Sequence, residues 1–113
     1  MRFYNVTNQC LIDEIQKADD FFSKSKGLLF AHPDQKNHAL WMVPCQMIHT
    51  VGMRWPLDII FLNRQLRVLK VVKNVGPFHL FVGCPGAHSV LEFFSGCWDA
   101  SKIQVGNQLQ IAA

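Results

Sequence analysis

Apolar and polar positions along the chain fall into short alternating runs, most of them too brief for a helix and well suited to strands. Residues 2–6 carry aromatic and β-branched side chains and run into Thr7-Asn8-Gln9, a turn, so a first strand and hairpin are predicted there. The next segment is two-sided. Leu11, Ile12, Ile15, Ala18, Phe22, Ser25 and Leu29 lie at helical spacing, yet residues 10–17 fit equally well as the returning strand. We take the strand, with a helix over roughly 20–29 after a cap at Asp19 and a buried face of Phe21, Phe22, Leu28 and Leu29.

Residues 31–38 form a polar loop with a proline, leading to a short apolar strand at 39–43. Residues 57–62 read as a buried strand, Asn63-Arg64-Gln65 as a turn, and 66–75 as the strand that pairs back. Gly76-Pro77 stops that strand, and Gly83-Cys84-Pro85-Gly86 marks a sharp loop. Residues 89–94 resume β character and Gly96 ends it. Residues 98–102 predict one helical turn, and 108–111 a last strand after Val105-Gly106-Asn107. The sum is an α+β fold: a small, mostly antiparallel β-barrel or sandwich of about six or seven strands, with one main helix closing an end.

At 113 residues the chain is expected to be a single domain, 1–113, with a core that needs no disulfides. Half of the residues are hydrophobic and 17% are charged, which sets it apart from disordered chains. A net charge of +3 is too small to argue for nucleic acid without a clustered basic face. Arg54, Arg64, Arg67, Lys70 and Lys73 do crowd one segment against Asp58, but cations along a strand edge are the ordinary guard against edge-to-edge pairing. The beginning, MRFYNVTNQ, lacks the apolar core of an export signal, and no apolar run approaches a membrane span. A soluble, cytoplasmic protein is therefore expected, with no membrane or nucleic-acid partner. Its cysteines, Cys10, Cys45, Cys84 and Cys97, are then expected to remain thiols.

The reactive side chains gather in VPCQMIHTVGMRWPLDIIFLN, residues 43–63, which holds Cys45, His49, Thr50, Gly52, Arg54 and Asp58. By alternation Asp58 shares a strand face with Ile60 and Leu62, while Ile59 and Phe61 face the other way, so this carboxylate is at risk of burial. A buried carboxylate needs a cation or several donors. Arg54, Thr50, the Trp55 indole and the amides of the Gly52 turn are near enough in sequence to serve, and the plain reading is that Asp58 pins the loop. Arg54, a guanidinium beside a glycine turn, suits a carboxylate or phosphate.

Cys45 and His49 are spaced C-x3-H, and so are Cys84 and His88. Two thiolates and two imidazoles brought together make a tetrahedral zinc site, but the paired C-x2-C knuckles of a strong zinc signal are missing. Cys45 with His49 can instead be a thiol nucleophile and its base, although neither an oxyanion hole nor an orienting third group is evident. Phosphate-loop, dinucleotide-glycine and H-E-x-x-H signatures are absent, which sets those enzyme classes aside.

IHTVGMRWPLDIIFL, preceded by Lys26-Gly27-Leu28-Leu29 and followed by Val90-Leu91-Glu92 and Val105-Gly106-Asn107, resembles the bacterial and archaeal domain of unknown function 192. It is similar to the branch reading Ile-His-Thr-x-Gly-Met, two further residues, then Pro, a hydrophobic residue and Asp. The resemblance covers nearly the whole chain and implies a small β-rich α+β domain. Cys45, His49, Thr50, Gly52, Met53, Arg54, Pro56 and Asp58 are its signature positions, and Asn107 stands where the family often has Asp. It implies no activity. Many relatives look exported or membrane-anchored, and Cys84 and His88 lie outside the pattern.

The reading that follows is a noncatalytic binding domain for a small polar or anionic ligand, with His49, Thr50, Arg54 and Asp58 at its site. No cofactor is expected. The alternatives are a zinc site of Cys45, His49, Cys84 and His88, a thiol enzyme using Cys45 and His49, and a protein-interaction module.

Overall fold

A computed structural model of the chain describes residues 1–18, 39–48, 55–76, 82–96 and 99–112. Among these residues the strands are β1 (Arg2–Asn5), β2 (Cys10–Glu14), β3 (Gln16–Ala18), β4 (Ala39–Met42), β5 (Met47–Ile48), β6 (Leu57–Leu62), β7 (Val68–Val75), β8 (Val82–Gly83), β9 (Ser89–Phe94) and β10 (Leu109–Ala112), with one 3-10 turn at Ala100–Lys102. They form a three-stranded sheet in the order β10-β1-β2, a five-stranded sheet in the order β3-β4-β9-β6-β7, and a two-stranded ribbon, β5-β8. Every described pairing is antiparallel except β3 with β4.

All six positions of β6 and all six of β9 are buried, which explains the layering. Ile60 and Leu62 join Trp41, Leu91 and Phe93 on one face of the large sheet, where Phe3, Ile12 and Leu109 of the small sheet cover them. Leu57, Ile59 and Phe61 join Leu40, Met42, Val90 and Phe94 on the other face, where Ile48, Val82 and Ala87 from the ribbon and its turn cover them. A two-faced apolar strand must be covered on both sides.

The expected barrel therefore does not form. A small closed barrel buries only the inward residues of each strand, whereas the large sheet here is apolar on both faces and ends in the edge strands β3 and β7. Beside the start of β7, residues 66–68 are joined to 106–109 by an isolated bridge between Arg67 and Gln108 and by backbone hydrogen bonds from Val68 to Asn107, Gly106 to Val68 and Leu109 to Leu66, without a continuous ladder between the two sheets. The sandwich half of the expectation is the nearer one.

The strand count is also higher than expected, ten among the described residues, because β3, β5 and β8 are too short to show a period. Residues 10–17 are not a single strand: Ile15, 1% exposed, exchanges backbone hydrogen bonds with Met1 and carries the chain from the small sheet into the large one. The main helix expected over 20–29 lies outside the described residues. The return strand of the β6-β7 hairpin begins at Val68 rather than at 66, since Leu66 takes a positive φ of 64°. Asn63 Oδ1 closes that turn by accepting from the amides of Gln65 and Arg67.

Candidate functional site

The two ends of the reactive stretch are held in different ways. At its start the backbone amide of Cys45 donates to the carbonyl of His88 at 2.8 Å, and the amide of Cys84 donates to the carbonyl of Gln46 at 3.1 Å. β5 then pairs with β8, Met47 opposite Gly83 and Ile48 opposite Val82, and Ile48 is buried. His49, Thr50, Gly52, Met53 and Arg54 lie outside the described residues. The chain is described again at Trp55, 37% exposed, and Pro56, whose carbonyl accepts from the Ser95 amide at 3.0 Å.

Asp58 is 4% exposed, as its place in the alternation implied. Its Oδ1 accepts from the Ser95 hydroxyl at 2.7 Å and from the Asn74 amide at 2.8 Å. The second bond explains an irregularity in β7. Leu57 pairs with Val75 but Ile59 pairs with Val72, so Asp58 stands opposite two residues, Lys73 and Asn74, in a bulge. Asn74 adopts a positive φ of 55°, a conformation asparagine tolerates, and the carboxylate satisfies the amide that the bulge turns out of the ladder. Both of these partners are distant in sequence; of the local donors expected, Thr50, the Gly52 amides and Arg54 lie outside the described residues. An asparagine inside a strand and a serine just past one were the available signals.

Cys45 and Asp58 do not share a locus. His88, bonded to Cys45, donates its own amide to the carbonyl of Leu62, the last residue of β6, whereas Asp58 is the second. At roughly 3.3 Å per residue the two ends are about 13 Å apart. Residues 49–54 must carry the chain between them.

Cys45 and Cys84 are half-buried thiols that pack against the same apolar cluster. The Cys45 thiol donates to the Met47 carbonyl at 3.3 Å and the Cys84 thiol to the Pro85 carbonyl at 3.7 Å. Among the described residues no group of three or more His, Cys, Asp or Glu is placed to hold a metal ion, so Cys45, Cys84 and His88 do not form such a group by themselves.

Two polar residues acquire a place that the pattern did not reveal. Glu92, 3% exposed, stands between Leu40 of β4 and Ile59 of β6 on the ribbon-covered face. Asn107 Oδ1 accepts from Asn5 Nδ2 at 2.8 Å and from the Gln104 amide at 2.8 Å, tying the fully buried Asn5 to the C-terminal loop. Both bonds use an acceptor oxygen, so an aspartate at this position could make them too.

Residues 4–111 match the model of a family, DUF192, described as uncharacterized. A UPF0127 protein of Pyrococcus furiosus is 29% identical over 104 residues, spanning 86% of this chain and 85% of that protein. Two crystal structures are similar in fold. One is a protein of unknown function from Novosphingobium aromaticivorans, with a TM-score of 0.77 at 20% identity, covering 97% of this chain and 82% of that one. The other, from Sinorhizobium meliloti, was proposed to be a transcription regulator and has a TM-score of 0.78 at 17% identity, covering 96% and 89%. Among the described residues no helix is long and apolar enough to cross a membrane.

Proposed function

The chain belongs to the DUF192 family of uncharacterized proteins, and on that footing we propose that it is a small noncatalytic binding domain that receives a polar or anionic group at residues 49–58. The observation that supports this is how that stretch is fastened. It is preceded by a buried Ile48 and ends at a buried Asp58, whose Oδ1 is engaged by Asn74 and Ser95. A segment whose two ends are anchored to packed strands presents its side chains at low entropic cost. With Asp58 in a fastening role, recognition falls to Arg54 and His49, assisted by Thr50. A guanidinium binds carboxylate or phosphate in bidentate fashion.

The regulator role proposed for the Sinorhizobium protein is not carried over, because two of the cations along the β6-β7 hairpin serve internal contacts and a net charge of +3 is small for a nucleic-acid binder. Arg67 donates to the Gly106 carbonyl at 2.8 Å, and Lys70 donates to the Gly83 carbonyl at 3.0 Å.

Titration with inorganic phosphate and with acetate, followed by NMR shifts, tests the proposal. Arg54→Ala is expected to weaken binding about tenfold or more, the equivalent of one charged hydrogen bond, while the melting temperature moves by only a few degrees. Unchanged binding would remove the proposal. An unfolded variant would make Arg54 a structural residue.

A further inference from the structure

Residues 45–46 lie across the turn 84–88 and are tied to it by the two backbone hydrogen bonds that join Cys45 to His88 and Gln46 to Cys84. That turn is itself well defined. The Ala87 amide donates to the Cys84 carbonyl at 3.1 Å around Pro85 and Gly86, and Gly86 has a φ of 88°, the arrangement of a type II turn. In a regular ladder Gln46 would face Cys84, and Cys45 would point to the opposite side of the ribbon. The chain bends at residues 43, 44 and 46, however, and Cys45 packs against the same apolar cluster as Cys84.

We infer that Cys45 and Cys84 are a redox pair that closes to an intramolecular disulfide when the chain meets a low-molecular-weight disulfide of the glutathione class. The Cys84 amide donates to the Gln46 carbonyl, and residues so placed on antiparallel strands have Cα atoms roughly 5.5 Å apart. Cys45 adjoins Gln46 in the chain, and a bend that turns it toward the same side brings it near the span that disulfides bridge. Each thiol rests on a backbone carbonyl in the reduced form, a weak contact that deprotonation releases. One thiolate attacks a sulfur of the oxidant and expels one glutathione thiolate. The second thiolate then attacks the protein sulfur of the mixed disulfide and expels the other. The sum converts two protein thiols and one glutathione disulfide into one protein disulfide and two glutathione thiols.

The bond would fasten residues 43–46 to the turn 84–88 at the entrance of β5, at the far end of β6 from Asp58. It is independent of what residues 49–58 bind.

The test equilibrates the full chain in glutathione redox buffers, quenches it by alkylation and maps the peptides by mass spectrometry. The expected result is a monomer lighter by two hydrogen atoms, with a Cys45–Cys84 linkage and alkylation of Cys10 and Cys97 retained. Cys45→Ser and Cys84→Ser should each abolish this species, whereas Cys10→Ser should keep it. An unchanged mass, linkage through Cys10 or Cys97, or glutathione adducts that never close would overturn the inference. Mapping of the wild-type chain decides the question even if a serine variant fails to fold.

Discussion

At the scale of single residues, Asp58 is where sequence and structure meet most closely. Alternation in β6 places it on a strand buried on both faces, and a carboxylate there must find donors. Its burial was therefore legible. Its recorded partners were not, because Ser95 and Asn74 are 37 and 16 residues away and reach it through strand register. Replacing Asp58 with Ala is expected to cost about 2–4 kcal/mol, measured by urea denaturation, since a bulge amide and a hydroxyl lose their shared acceptor. In a double-mutant cycle with Ser95→Ala the two losses should fall short of additive by about 0.5–3 kcal/mol. Strict additivity would mean that the recorded bond contributes nothing.

Among the elements, those with a strong local signal form as expected. β6 and β9 coincide with the strands read at 57–62 and 89–94, because long apolar runs bounded by turn residues leave few alternatives. The two-residue strands β5 and β8 carry no such signal and exist only through pairing with each other. The turn expected over 98–102 is a 3-10 helix at Ala100–Lys102, capped by Asp99, whose Oδ1 accepts from the hydroxyl of Ser101 at 2.6 Å and from its amide at 3.0 Å. The Ser101 hydroxyl and then its amide hold the Asp99 carboxyl below the ordinary 3.8. For a lowered carboxyl the cap is fully present above the unfolded value and is lost as pH falls through the lower folded one. Carbonyl-carbon NMR should accordingly show Asp99 titrating below 3.8, with the Ser101 amide shift following it. In Ser101→Ala the midpoint should rise toward the ordinary value.

For the whole molecule, the decisive feature is that both faces of one sheet are apolar. Phe93 is fully buried in the layer shared with the small sheet, so Phe93→Ala is expected to cost about 3–5 kcal/mol by urea denaturation. Leu11→Ala, at a position 52% exposed on the small sheet, should stay within about 0.5 kcal/mol. Equal losses would contradict the layering. The same two-sided burial rules out the closed barrel that a series of short strands suggested.

What the sequence by itself determined is local: the β-rich character, the hairpin at 57–75, the burial of Asp58, and the motif that marks the family. These follow from periodicity and side-chain type, which act between near neighbours. Only the tertiary structure decided that the sheets stack rather than close, that Ser95 and Asn74 serve Asp58, and that Cys45 and Cys84 pack against one apolar cluster. Each of these depends on strand register between segments far apart in the chain, and register is set by the joint packing of whole faces.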